Sequence, residues 1–282
     1  MKRDYKRVLI ISDLHCGHDL GLTPPDWHYS TAKKSIDDSL TLKRKNVLAA
    51  KRKELWKYYA GWIKALSPID VCIANGDLVD GRGERAGSIE QFVLDREEQV
   101  EMAVKVLKYI NAREYFLTYG TAYHVGATED WERMVCNEMT RPAQIESHPQ
   151  IDVEGHIFDV KHDISGSQIP HGRHTASARE RMWNVFWAED EGVMAKADYL
   201  IRSHVHYYSF CGSRDWFACT TPGLQGLGSR YGTRKCSGIV HFGLLWFDIP
   251  KKIRGKKQGG VVWPEAHILK GRANRSHVLR AK

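Results

Sequence analysis

Acids and histidines fall in five short clusters along this chain: Asp13-Leu14-His15, Gly76-Asp77-Leu78-Val79-Asp80, Gly120-Thr121-Ala122-Tyr123-His124, the single His162, and Ser203-His204-Val205-His206. A carboxylate and an imidazole two residues apart lie on the same side of an extended chain, and such a pair can hold one transition-metal ion. Gly76 permits a sharp turn that aims Asp77. A lone histidine among the 14 of this chain is usually structural, and neither Asp-x-His nor Gly-Asp-x-x-Asp is specific by itself. Five such clusters in order predict a metal centre.

Each cluster follows a segment that reads as a β-strand. Residues 7–12, 69–74 and 114–119 are short apolar runs rich in β-branched and aromatic residues. Helices are expected between them. In 40–66, Leu55, Tyr59, Trp62, Ile63 and Leu66 share one face, and Pro68 ends the segment. In 88–112, Val100, Ala103, Val104, Leu107 and Ile110 do the same. The polar, Pro-containing stretch 17–39 separates the first strand from the first helix. Apolar strands alternating with helices predict a parallel sheet covered by helices. Such sheets bind ligands beyond the C-terminal ends of their strands, where the clusters lie. A short helix (128–140), a hairpin-like segment (151–160) and a helix (176–196) follow. Strands at 199–201, 207–211, 216–220 and 238–248 then predict a second, mixed or antiparallel set. The division expected is 1–250 as one domain and 251–282 as an irregular basic extension.

In type and order the clusters resemble the calcineurin-like metallophosphoesterase superfamily, whose blocks run Asp-x-His, Gly-Asp-x-x-Asp, Gly-Asn-His-Asp/Glu, His and Gly-His-x-His. The resemblance spans residues 13–206, about two-thirds of the chain. It implies an α/β fold of two packed mixed β-sheets flanked by helices, a four-layer sandwich. It also implies two divalent ions: Asp13, His15, Asp77 and His206 around the first, Asp77, His162, His204 and a residue from 120–124 around the second, with Asp77 bridging. Imidazole and carboxylate without thiolate suit Mn, Fe, Zn or Ni better than Ca or Mg, and Mn is favoured. The activity implied is hydrolysis of phosphomonoesters or phosphodiesters by activated water, with a nuclease or a catalytically inactive scaffold as alternatives. Ser203 replaces the glycine of the last block. The third block departs further: it has no asparagine, Thr121 stands in that register, and His124 comes two residues late. Either His124 supplies the missing ligand, or water or Thr121 fills the gap and His124 protonates the leaving group. The Gly-Thr-x-x-His form also resembles phage and prophage members of the superfamily.

Other residues have plainer readings. Asp80 is placed to orient His15 or His204. Arg82, Arg85 and the segment 171–174 carry cations or imidazoles that can face phosphate. Glu129, Asp130 and Glu132 read as acids at a helix N-terminus, and the Cys16 thiol is expected to point away from the site. The whole chain of 282 residues (32.3 kDa) has 42% hydrophobic and 27% charged residues and a mean hydropathy of −0.46, which excludes disordered and collagen-like classes. No apolar stretch approaches the roughly 20 residues of a membrane span, and the apolar run from Val8 to Ile11 is shorter than the roughly 7–15 residues of a secretory core. Six cysteines without a Cys-x-x-Cys pair predict reduced thiols in a cytoplasmic protein. The net charge of +8 is uneven: residues 251–282 hold ten Lys/Arg against one acid, a net of +9. Such a tail can recruit nucleic acid by counterion release. A phosphoester substrate is the other partner expected, and no sequence feature fixes an oligomeric state.

Overall fold

The computed structural model describes residues 3–28, 39–83, 90–125, 130–167, 169–190, 192–226 and 240–269. The first strand, β1 (Tyr5–Ile11), shows why the molecule is layered. Leu9 and Ile11 enter one hydrophobic core and Val8 and Ile10 another, because successive side chains of a strand point to opposite faces. β2 (Val71–Asn75) divides in the same way, Cys72 and Ala74 against Val71 and Ile73. A strand buried on both faces reads as a continuous apolar run.

β1, β2, β3 (Glu114–Thr118) and β4 (Ala143–Glu146) are parallel neighbours, and β10 (Phe242–Pro250) and β11 (Glu265–Leu269) add antiparallel on the other side of β1. The six-stranded order is β11-β10-β1-β2-β3-β4. Its outer face packs on α1 (Ser39–Leu66), α2 (Arg96–Ile110) and α4 (Trp131–Asn137), with the short α3 (Ala122–Val125) before α4. The second sheet has the order β5-β6-β7-β9-β8: β5 (Gln150–Val153), β6 (His156–Val160), β7 (Tyr199–Arg202), β8 (Ser209–Gly212) and β9 (Phe217–Thr220). Between the sheets, Val8, Ile10, Phe247 and Ile249 meet Phe158, Tyr199, Ile201 and Phe217. α5 (Thr175–Glu189) lies over the second sheet on a much smaller core of Ala197, Leu200 and Ala218. Two mixed sheets flanked by helices is the expected architecture.

The differences are local. α2 begins at Arg96, not at 88, because Asp95 caps it by accepting from the Glu98 N–H at 2.9 Å. The segment before it is used elsewhere: Phe92 N–H donates to the Gly17 carbonyl beside the end of β1. α5 ends at Glu189 rather than 196. β4 and β11 are strands that the sequence pattern does not announce. Residues 251–264 are irregular, and Glu265–Leu269 completes a sheet edge. Two cations of this segment are matched with acids of the second sheet's side, Lys252 with Asp152 and Lys257 with Asp198. Among the described residues no helix is long and apolar enough to cross a membrane.

Candidate metal centre

The parallel ladder of β1 and β2 continues beyond the strands. Asp13 N–H donates to the Gly76 carbonyl, His15 N–H to Asp77 and Cys16 N–H to Leu78, at 3.0, 3.0 and 3.1 Å. The two loops are thus zipped together with Asp13, His15 and Asp77 on them. All three have left-handed backbone, φ 50°, 45° and 51°, as do His204 and His206 at 69° and 51°. The expectation of an extended Asp-x-His with alternating side chains is therefore corrected: each residue turns the chain. A left-handed non-glycine costs about 1–2 kcal/mol, and such strain gathers where side chains must be aimed. Gly76 (φ 72°) is required for a further reason. A Cβ there would stand 2.4 Å from His162 Nδ1, and one on Gly120 would stand 2.1 Å from Asp77 Oδ1.

Seven side chains converge in three overlapping trios: Asp13, His15 and His206; His15, Asp77 and His124; Asp77, His162 and His204. Within each trio the available ligand atoms lie within 4.8 Å of one another. Asp13, His15, Asp77 and His162 are buried, with exposures of 0–3%, while His124 and His206 are part-buried and His204 is exposed. Three imidazoles are held by Nδ1, leaving Nε2 for the centre. His15 Nδ1 faces Asp80 Oδ1 at 3.1 Å, His162 Nδ1 the Asn75 carbonyl at 2.7 Å, and His124 Nδ1 the Asp80 carbonyl at 2.8 Å. Tethering one ring nitrogen to an acceptor is how a protein fixes a ligating histidine. Of the two orientations open to Asp80, the structure has it on His15.

The remaining atoms fit a cation. Both Asp13 carboxylate oxygens and His162 Nε2 are buried, and no group outside the cluster satisfies them. His206 Nε2 lies 3.1 Å from Asp13 Oδ1, 3.3 Å from His15 Nε2, and His162 Nε2 lies 3.1 Å from Asp77 Oδ2. Buried, unpartnered polar atoms are costly, and nitrogen and carboxylate lone pairs facing each other are reconciled by a shared positive charge. Protons provide it in the metal-free centre. Burial drives the Asp13 carboxyl up, but His206 and His162 outweigh it and bring it to about 2. Burial drives His162 down, and Asp77 and Asp13 reverse this and raise it to about 10. Burial, then His124, lowers His15 to about 4.

His124 belongs to the trio of His15 and Asp77 rather than to that of His162 and His204. Its Nε2 is 4.0 Å from Asp77 Oδ2, and its ring meets His15 edge-on at 4.5 Å. Through Asp77 it adjoins the second group, whose fourth position is expected from a residue of 120–124. Thr121 is committed as well: its N–H donates to Asp77 Oδ1 at 2.8 Å and its hydroxyl at 3.2 Å. Cys16 turns away, its thiol donating to the Leu22 carbonyl. Arg82 lies exposed, Arg173 stacks on Tyr207 beside the last cluster, and Arg85 and Glu129 fall outside the described residues.

Two supports escaped sequence reasoning. Glu132, read as a helix N-terminal acid, is fully buried and accepts from Leu78 N–H at 2.8 Å and Gly120 N–H at 2.6 Å, clamping the two loops that flank Asp77. Burial, then Asp77, pushes its carboxyl up to about 8. Ser203 is more than a small replacement. Its hydroxyl joins Asn75 Nδ2 at 2.6 Å and Thr221 at 2.7 Å, while Asn75 accepts from Thr118 at 2.5 Å and Thr221 reaches Ser12 at 2.7 Å. This buried polar chain ties the ends of β1, β2, β3, β7 and β9 together. The only sequence signal was polar residues at the ends of apolar strands.

No family model and no curated protein matches the sequence. Solved structures similar to it include Vacuolar Protein Sorting 29 from Cryptosporidium parvum, 13% identical over 95% of this chain and 100% of that one, with a TM-score of 0.41. Wild-type Vps29 from Entamoeba histolytica complexed with zinc is 15% identical over 93% and 98%, TM-score 0.39. An archaeal phosphodiesterase is 14% identical over 93% and 99%, TM-score 0.39.

Proposed function

We propose that this chain is a hydrolase of phosphoric esters, of the calcineurin-like metallophosphoesterase type, working with two divalent transition-metal ions. The observation that carries this reading is the convergence of seven acids and histidines from five strand-end clusters onto buried carboxylate oxygens and an imidazole nitrogen that nothing outside the cluster satisfies. Asp13, His15 and His206 would hold one ion and His162 and His204 the other, with Asp77 between them; manganese is the first to try. When bound, such ions polarise a phosphoryl oxygen and lower the pKa of water.

The chain's own residues do the rest. Asp80 fixes the His15 ring and, through its carbonyl, the His124 ring. Thr121 and the clamp of Glu132 orient Asp77. With Nδ1 committed to Asp80, His124 presents Nε2 at the partly open side of the centre, where a proton on it can pass to a leaving oxygen. No protein nucleophile is required.

The test combines metal analysis with hydrolysis of chromogenic phosphomonoesters and phosphodiesters by wild type and Asp77→Ala. Two ions per chain, manganese-stimulated hydrolysis, and loss of both in the variant are expected. Two bound ions without turnover on any ester would leave an inactive scaffold instead.

A further inference from the structure

α5 is amphipathic in the wrong direction. Its buried residues are Ser177, Arg181 and Asn184, and they anchor it by polar contacts: Arg181 donates to the Ala197 carbonyl at 2.7 Å, and Asn184 bonds Ala195 and Ala197 main-chain atoms. Met182, Trp183, Phe186 and Trp187 are exposed by 58, 55, 46 and 46%. Residues three and four apart lie on one face of a helix, so these four form a continuous stripe. Soluble chains do not ordinarily leave two tryptophans, a phenylalanine and a methionine side by side in water.

We propose that this stripe is a homodimer interface, occupied by α5 of a second copy running antiparallel. The charges select that occupant. Arg179, which also donates to the Ser165 hydroxyl at 2.8 Å, stands one turn before the stripe and Asp190 at its end, both on the exposed side. A two-fold axis through the midpoint between Asn184 and Val185 sets Trp183 against the partner's Phe186, Met182 against the partner's Trp187, and Arg179 against the partner's Asp190. The face is thus self-complementary in the order of its apolar side chains and its charges, as an isologous interface must be. A face built for a different protein has no reason to carry opposite charges at equal distances from its own centre. The four half-exposed side chains offer roughly 400 Å² of apolar surface per copy, about half of what a standard interface buries on each partner. The dimer is accordingly a weak one, and Val193, exposed by 65% with its N–H on the Trp187 carbonyl, extends the stripe.

Sedimentation velocity of the full chain across the micromolar range tests this. Wild type should shift from monomer to dimer with concentration. Trp183→Glu should raise the dissociation constant at least about thirtyfold. Arg179→Glu and Asp190→Arg should each weaken the dimer, and the double variant should recover it, because each copy then presents the exchanged pair to the other. Circular dichroism confirms that the exposed substitutions leave the fold intact. Wild type that stays monomeric at every concentration overturns the proposal, whether the stripe stays open or is covered by the chain itself. A dimer insensitive to Trp183→Glu, or a charge double variant no better than its singles, overturns the pairing.

Discussion

Two residues close to Asp77 separate chemistry from support. His124 reaches the centre with Nε2 and is fixed by Nδ1 to the Asp80 carbonyl, while the second trio is assembled without it. His124→Gln is expected to keep two ions per chain while turnover falls roughly 10²–10⁴-fold, least for esters with good leaving groups. Metal analysis checks it, since loss of one ion would make His124 a ligand. Glu132 makes the opposite prediction. Its two oxygens receive two backbone N–H groups in a fully buried place. In Glu132→Gln one of those donors faces an amide NH₂ instead, and an unsatisfied buried donor costs about 1–3 kcal/mol. A lower melting temperature is expected, with weaker metal retention following from looser loops around Asp77. An unchanged melting curve would show that the clamp is dispensable.

At the scale of elements, the first half of the fold was legible because its strands are buried on both faces and its helices carry regular apolar stripes. The acids and histidines of the centre were legible for the same reason: they follow those strands directly. The rest was hidden by physics that residue type does not display. The left-handed backbone at Asp13 and His15 is imposed by the ladder between two loops. Glu132 resembles any acid in a first helical turn. β11 lies in a Lys- and Gly-rich segment, and what fixes it is an aromatic stack: the His267 ring lies 3.4 Å from Trp62 and 4.8 Å from Trp246, centroid to centroid. A chain ending at Leu269 loses five of the ten tail cations and no described strand. It should melt within about 2 °C of the full chain and hydrolyse small esters equally well, while any salt-sensitive nucleic-acid retention weakens. A chain ending at Pro250 bares the β10 edge and should aggregate. Scanning fluorimetry and light scattering of the two truncations distinguish these outcomes.

For the whole molecule, the centre is also a seam. Asp13 and Asp77 extend from β1 and β2 of one sheet, and His162, His204 and His206 follow β6 and β7 of the other, so whatever neutralises the cluster joins the two sheets. Without metal that role falls to protons, and the sign can be worked out. His162 rises from 6.5 to about 10, so its contribution is complete below pH 6.5 and is lost as pH climbs towards 10. Asp13 falls from 3.8 to about 2, so its contribution is present above 3.8 and is lost on acidification through about 2. His15, held down at about 4 from 6.5, makes stability rise between those two values. Glu132, raised from 4.5 to about 8, opposes that rise and adds to the loss above it, so the metal-free protein should weaken on the alkaline side of pH 6.5. Metal reverses the alkaline slope. Ligands must be deprotonated to bind it, so its affinity grows as His162 gives up its proton, and binding to the folded form stabilises by mass action. The expected result is a gap in melting temperature between manganese-loaded and chelator-treated protein that widens from pH 6.5 towards 10. Thermal unfolding in paired samples at constant ionic strength measures it. A gap that stays level or narrows over that range would mean that His162 is neither the proton's seat nor a ligand of the metal.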